Sequence, residues 1–158
     1  MIHGMLCTLM IGTVLPEPEP VKHYLVVELL RWETTRWKLE RFAEPPVHAE
    51  VVATVFVPVV PDGRIHRAEA RLAPEPGCRA CTSLEAYVTA REDRHDRWNL
   101  HVTAIHIDPL GSVGGIDQVF DSRLKSVRLG VGDQEWLGNC NHDQHPGLGF
   151  VARLHRDK

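Results

Sequence analysis

The sequence predicts a mainly β chain: a single-domain β-sandwich or β-barrel with short helical elements at most. Three observations carry this. Val51-Val52-Ala53-Thr54-Val55-Phe56-Val57 is a β-branched run that stops at proline. Leu84 to Ile107 alternates apolar and polar residues on both sides of a charged break. Glycines then punctuate the C-terminal half between short apolar segments, the spacing of an all-β architecture. The length of 158 residues suits one domain, and 43% hydrophobic with 25% charged residues is a globular balance.

From the N-terminus, Met5 to Ile11 is apolar and Pro16-Glu17-Pro18-Glu19-Pro20 follows. Alternating prolines lack the N–H that a sheet ladder needs, so this segment reads as an extended spacer. No positive region precedes the apolar run and no small-residue cleavage site follows it. The apolar run is therefore expected to be a first strand or an arm that docks on a neighbour rather than a secretory leader, with residues 1–20 as arm and spacer, the β-rich domain spanning 21–158, and a cytoplasmic location favoured over a secreted one. No apolar run reaches the ~18 residues of a spanning helix, and no membrane partner is expected.

Tyr24 to Phe42 fits two descriptions. Its Leu, Glu, Arg and Lys content suits a helix. Its Val26-Val27, Thr34-Thr35 and flanking tryptophans suit a hairpin with Trp32 facing Trp37, the reading adopted. The run at 51–57 is apolar on both faces and is expected to be a buried strand. Pro61-Asp62-Gly63 is a turn, with φ preset at Pro, a capping Asp and a free φ at Gly. Ile65 to Leu72 is expected to return as a strand, although Ala-Glu-Ala-Arg-Leu also permits a short helix. Leu84, Ala86, Val88 and Ala90 mark one face of a strand, and Val102, Ala104 and His106 one face of the next. Short strands are expected at 127–131, 135–137 and 148–155.

Four cysteines are present. Cys78-Arg79-Ala80-Cys81 puts two sulfurs on one tight turn, a spacing that can share a tetrahedral metal. Cys140 with His142 or His145 would complete Cys3His or Cys2His2 ligation, and a structural zinc there would staple two distant loops. Free buried cysteines, or a disulfide from Cys78 or Cys81 to Cys140, are the competing readings. The same loop, converging with His101, His106 or Asp108, would suit a catalytic metal only if a position stayed open for water.

Leu100-His101-Val102-Thr103 resembles one half of the paired His-x-Thr motif of the two-histidine phosphoesterases. No other histidine is followed two residues later by Ser or Thr, so the second half is missing and the family is not supported. No serine sits in a G-x-S-x-G elbow, and Gly111-Ser112-Val113-Gly114-Gly115 lacks the lysine of a phosphate-binding loop.

Trp32, Arg36, Trp37 and Arg41 interleave cations with aromatics, a pattern that stacks bases in single-strand-binding barrels. The same residue types dominate protein interfaces. A net charge of −3, with Glu28, Glu33, Glu40 and Glu44 nearby, argues against coating nucleic acid by charge alone. The expectation is a non-enzymatic structural or protein-interaction subunit that self-associates, with a structural zinc. An OB-like single-stranded nucleic-acid-binding domain is the alternative, and a small metal-dependent hydrolase a further one.

Overall fold

The structure is a computed structural model that describes residues 22–33, 44–72, 82–93, 96–108, 118–139 and 147–157. The described residues contain nine strands and no helix. The strands are β1 (His23–Arg31), β2 (Glu50–Pro58), β3 (His66–Leu72), β4 (Thr82–Glu92), β5 (Arg97–Asp108), β6 (Gln118–Asp121), β7 (Lys125–Gly130), β8 (Gln134–Asn139) and β9 (Leu148–Arg156). They form a mainly-β sandwich of two antiparallel sheets. Sheet A has the order β2-β1-β9-β8. Sheet B has the order β3-β4-β5-β6, with β7 also paired to β5.

β6 and β7 are one strand interrupted by a bulge. Both run along the same partner, and the register shifts by one residue between Ile105↔Asp121 and Val102↔Lys125. Buried Ser122 holds the break. Its Oγ accepts the Ala104 N–H at 2.9 Å and donates to the Arg123 carbonyl at 2.9 Å, while Arg123 takes φ +58°. Counted this way, eight strands follow one another around the sandwich in chain order, an up-and-down path. The chain crosses between the sheets at 59–65 and at 131–133.

Alternation builds the core. Leu25, Val27 and Leu29 of β1, Val55 and Val57 of β2, and Phe150, Ala152 and Leu154 of β9 turn inward from sheet A. They meet Leu84, Ala86, Val88 and Ala90 of β4, and Trp98, Leu100, Val102 and Ala104 of β5. His106 also faces inward, and its Nδ1–H donates to the Ser83 carbonyl at 3.0 Å. The faces expected for the 84–107 hairpin are those observed.

Two expectations change. The run at 51–57 is not enclosed on both faces. β2 is an edge strand, and Val51 and Phe56 on its outer face are 54% and 58% exposed. Residues 65–72 do form a strand, but β3 returns in the other sheet, because the Pro61-Asp62-Gly63 turn carries the chain over the sandwich edge. That turn has the expected chemistry: Gly63 has φ +71° and Asp62 Oδ1 accepts the Arg64 N–H at 2.9 Å. In the ambiguous segment, 23–31 is strand. The returning half of the expected hairpin, 34–42, lies outside the described residues.

The His23 and Trp98 ring centres are 5.1 Å apart, tilted by 51°, so β1 and β5 begin at the same end of the sandwich. The strand directions then put the connections 59–65, 93–96 and 131–133 at this entry end. The connections 32–49, 73–81, 109–117 and 140–147, each eight residues or more, leave from the opposite, loop-bearing end.

Candidate interaction surfaces

The outer faces of the two sheets differ in chemistry. On sheet B, the outward positions of β3, β4, β5 and β7 carry Arg67, Glu69, Arg71, Glu85, Tyr87, His101 and Arg128. Arg67 Nη2 lies 3.1 Å from both Glu85 Oε1 and Glu69 Oε2, and Arg71 Nε donates to Glu69 Oε1 at 3.2 Å. The Arg67 guanidinium also sits 5.7 Å from the Tyr87 ring centre, and the Tyr87 hydroxyl donates to Glu85 Oε2. The Glu85 charge holds Arg67 above its ordinary pKa. The hydrogen bond to Glu85, followed by burial, pushes the Tyr87 phenol up. Arg128 pairs with Asp93 at 2.8 Å, and Arg97 with Asp133 at 3.1 Å. Such half-exposed pairs contribute little stability. They do neutralise these four arginines locally, so this face offers them poorly to phosphate.

His101 Nδ1 and Ser126 Oγ are 2.8 Å apart on the same face. A serine–histidine nucleophile needs a third group to orient the imidazole and donors for the oxyanion. The outward neighbours Thr89, Asn99 and Thr103 supply no carboxylate. Both side chains sit on an exposed strand surface, and the pair is a cross-strand hydrogen bond.

Sheet A has a second apolar cluster on its outside: Leu30, Trp32, Trp136 and Val151, with Ala49 against them. The indoles of Trp32 and Trp136 are 6.2 Å apart and tilted by 54°. This packing depends on a bare backbone. A Cβ at Gly149 would stand 2.2 Å from Trp136 Cη2, so the indole lies across a position that only glycine leaves open. The same face continues through Tyr24, Val26, Val51 and Phe56 to the β2 edge. Its polar members are few: Arg153, which donates to Gln134 Oε1 at 2.9 Å, with Glu28, Thr54 and His155.

Of the four binding residues expected from sequence, Trp32 lies in this cluster, and its observed ring partner is Trp136. Arg36, Trp37 and Arg41 lie outside the described residues, as do the metal candidates Cys78, Cys81, Cys140, His142 and His145. Among the described residues, no group of three or more His, Cys, Asp or Glu side chains is arranged to hold a metal ion. Sequence reasoning missed Trp136 and Gly149 as partners, because only the β8–β9 and β1–β9 registers bring them beneath Trp32. It also passed over the alternation Arg67-x-Glu69-x-Arg71, which was visible as text.

Comparison with known proteins returns no match: no family model, no curated protein and no solved structure matches the chain.

Proposed function

We propose that this protein is a non-enzymatic structural subunit that associates with further copies of itself. The observation that carries the reading is the contrast between the two outer faces. Sheet B presents arginines already matched to carboxylates. Sheet A exposes Val51 and Phe56 on the outside of its edge strand, and Val51 stands next to Leu30 of the buried Trp–Trp cluster. Large exposed apolar side chains beside aromatic residues are what protein interfaces cover. We extend the reading to a structural zinc held by Cys78, Cys81 and Cys140 with His142 or His145. Support comes from the strand ends. The chain leaves β3 and re-enters at β4, and leaves β8 and re-enters at β9, at one and the same end of the sandwich. A closed tetrahedral site would tie those two connections together across the sheets.

Native mass spectrometry of the full chain, before and after chelation, tests both parts. The expected result is an oligomer with one zinc per chain. The variant carrying Val51→Asp and Phe56→Asp should give smaller assemblies while keeping its melting temperature, since both side chains are exposed. A strictly monomeric wild type would refute the assembly. A mass without metal in protein purified under reducing conditions would refute the zinc. Single-strand oligonucleotide binding that weakens steeply with salt would favour the nucleic-acid reading instead.

A further inference from the structure

The four sheet edges are not protected alike. A free edge strand exposes unpaired N–H and C=O groups, and proteins blunt it with bulges, prolines or breaks. The β2 edge carries an extra residue, Val52, between the pairs Leu29↔Ala53 and Leu30↔Val51, and ends in Pro58. The β8 edge carries an extra residue between Trp136 and Gly138, with Gly138 at φ +110°. The β6–β7 edge is broken at residues 122–124. β3 has no bulge, proline or break, and its guards are the charged side chains Arg67, Glu69 and Arg71. It pairs with β4 in unbroken register from His66↔Val88 to Leu72↔Thr82 and contains no Gly, Pro or Lys.

We infer that β3 is the joint between two copies, pairing antiparallel with β3 of a second copy about a two-fold axis through Ala68. The proposal adds a joint at the edge of sheet B, separate from the sheet A face, to the self-association above and rests on that reading. The argument is charge complementarity: Arg67 and Glu69, which already contact each other within one strand, gain the matching contact across the joint. On the outer face β3 alternates Arg67, Glu69 and Arg71. With Ala68 on the axis, Arg67 faces Glu69 of the second copy, and Glu69 faces its Arg67. Ile65, 69% exposed at the head of the strand, lies against the aliphatic stem of the second copy's Arg71. With Glu69 on the axis, Glu would face Glu and Arg would face Arg, which disfavours that register. With Ala70 on the axis, the described residues that pair run from Ala68 to Leu72, a shorter stretch. The inward residues Ala68 and Ala70 are small and partly buried, and inward His66 falls opposite Ala70 of the second copy. The product is one continuous sheet with sheet A of each copy behind it, a closed isologous dimer.

Sedimentation velocity of the full chain at submillimolar concentration tests the joint with two charge variants. Glu69→Arg makes the strand all-cationic, and Arg67→Glu makes its first two charges acidic. Each variant alone should dimerise at least about tenfold more weakly than wild type, because two symmetry-related attractions become repulsions. Mixed together, the two variants should recover a heterodimer. In that pairing, positions 67 and 69 are both cationic on one chain and both acidic on the chain opposite. The Ala70-centred register would not give this rescue. Arg67→Glu also loses its pairing with Glu85, so a wild-type measurement stands beside it: amide exchange at 65–71 should slow as protein concentration rises. Unchanged exchange there, or a Glu69→Arg dimer as tight as wild type, overturns the β3 joint. If Val51→Asp with Phe56→Asp dissociates the assembly while Glu69→Arg does not, self-association stands and only this interface fails. Dissociation on deleting residues 1–20, with the charge variants intact, assigns the contact to the arm instead.

Discussion

The Trp136–Gly149 contact makes the sharpest prediction. In Gly149→Ala the new methyl stands 2.2 Å from Trp136 Cη2, 3.0 Å from Cζ2 and 3.1 Å from the Gly138 carbonyl oxygen. Ordinary carbon contacts begin near ~3.5 Å, so the indole has to retreat by more than about 1 Å. An indole is a rigid plate, and this one is buried against Trp32, Leu30 and Val151. The carbonyl belongs to the paired strand and yields little. Overpacking of this kind costs ~1–3 kcal/mol, and the rigid neighbours place this case at about 2–3 kcal/mol. For a chain of this size that lowers the melting temperature by roughly 5–10 °C. Circular dichroism melts measure the loss, and near-ultraviolet ellipticity reports the displaced tryptophan. In a Trp136→Leu background the same glycine substitution should cost much less, because the colliding atoms are gone. Gly132→Ala is the contrasting case. Its φ of +89° strains any side chain, but no atom lies within 4 Å of the new methyl. It should cost about 1–2 kcal/mol without changing the tryptophan signal. A Gly149→Ala protein that melts within about 1 °C of wild type, with unchanged ellipticity, would refute the packing described.

Ser122→Ala removes the acceptor of the Ala104 N–H inside sheet B and should cost about 1–3 kcal/mol in a denaturant titration. Ser122→Thr, which keeps the hydroxyl, should recover part of that, and equal stability of the alanine variant would count against the bulge-holding role. The Tyr87 phenol has a folded-state pKa above its ordinary value of 10.0, chiefly because it donates to Glu85. Its contribution to stability is therefore complete below the unfolded value and disappears as pH rises through the folded one. In a Tyr24→Phe background, phenolate absorbance should show Tyr87 ionising late, and Glu85→Gln should bring the midpoint down. A midpoint at or below that ordinary value would contradict the hydrogen bond.

Much of this fold was legible one segment at a time. Leu84-Ala86-Val88-Ala90 against Val102-Ala104-His106 gave the central hairpin with the right residues inside, because strand side chains alternate with period two wherever one face is buried. Pro61-Asp62-Gly63 announced a turn for the same local reason. β6 escaped notice: Gln118–Asp121 is four residues long and is defined by its pairing to β5 more than by its own pattern.

What the sequence by itself determined was therefore the class, most of the strands and the inward face of the 84–107 hairpin, since those follow from chain chemistry within a few residues. Which strand lies beside which was settled only in three dimensions. β1 takes β2 as one neighbour and β9, more than a hundred residues away, as the other, β3 crosses to the opposite sheet, and Val51 and Phe56 belong to an edge. The pairing of Trp32 with Trp136, and the use of Gly149 as the gap beneath an indole, also arise there. Sheet pairing and register are collective: a hydrogen-bonded ladder has the same backbone chemistry whichever strand supplies it, and only the simultaneous closure of one core selects the partner.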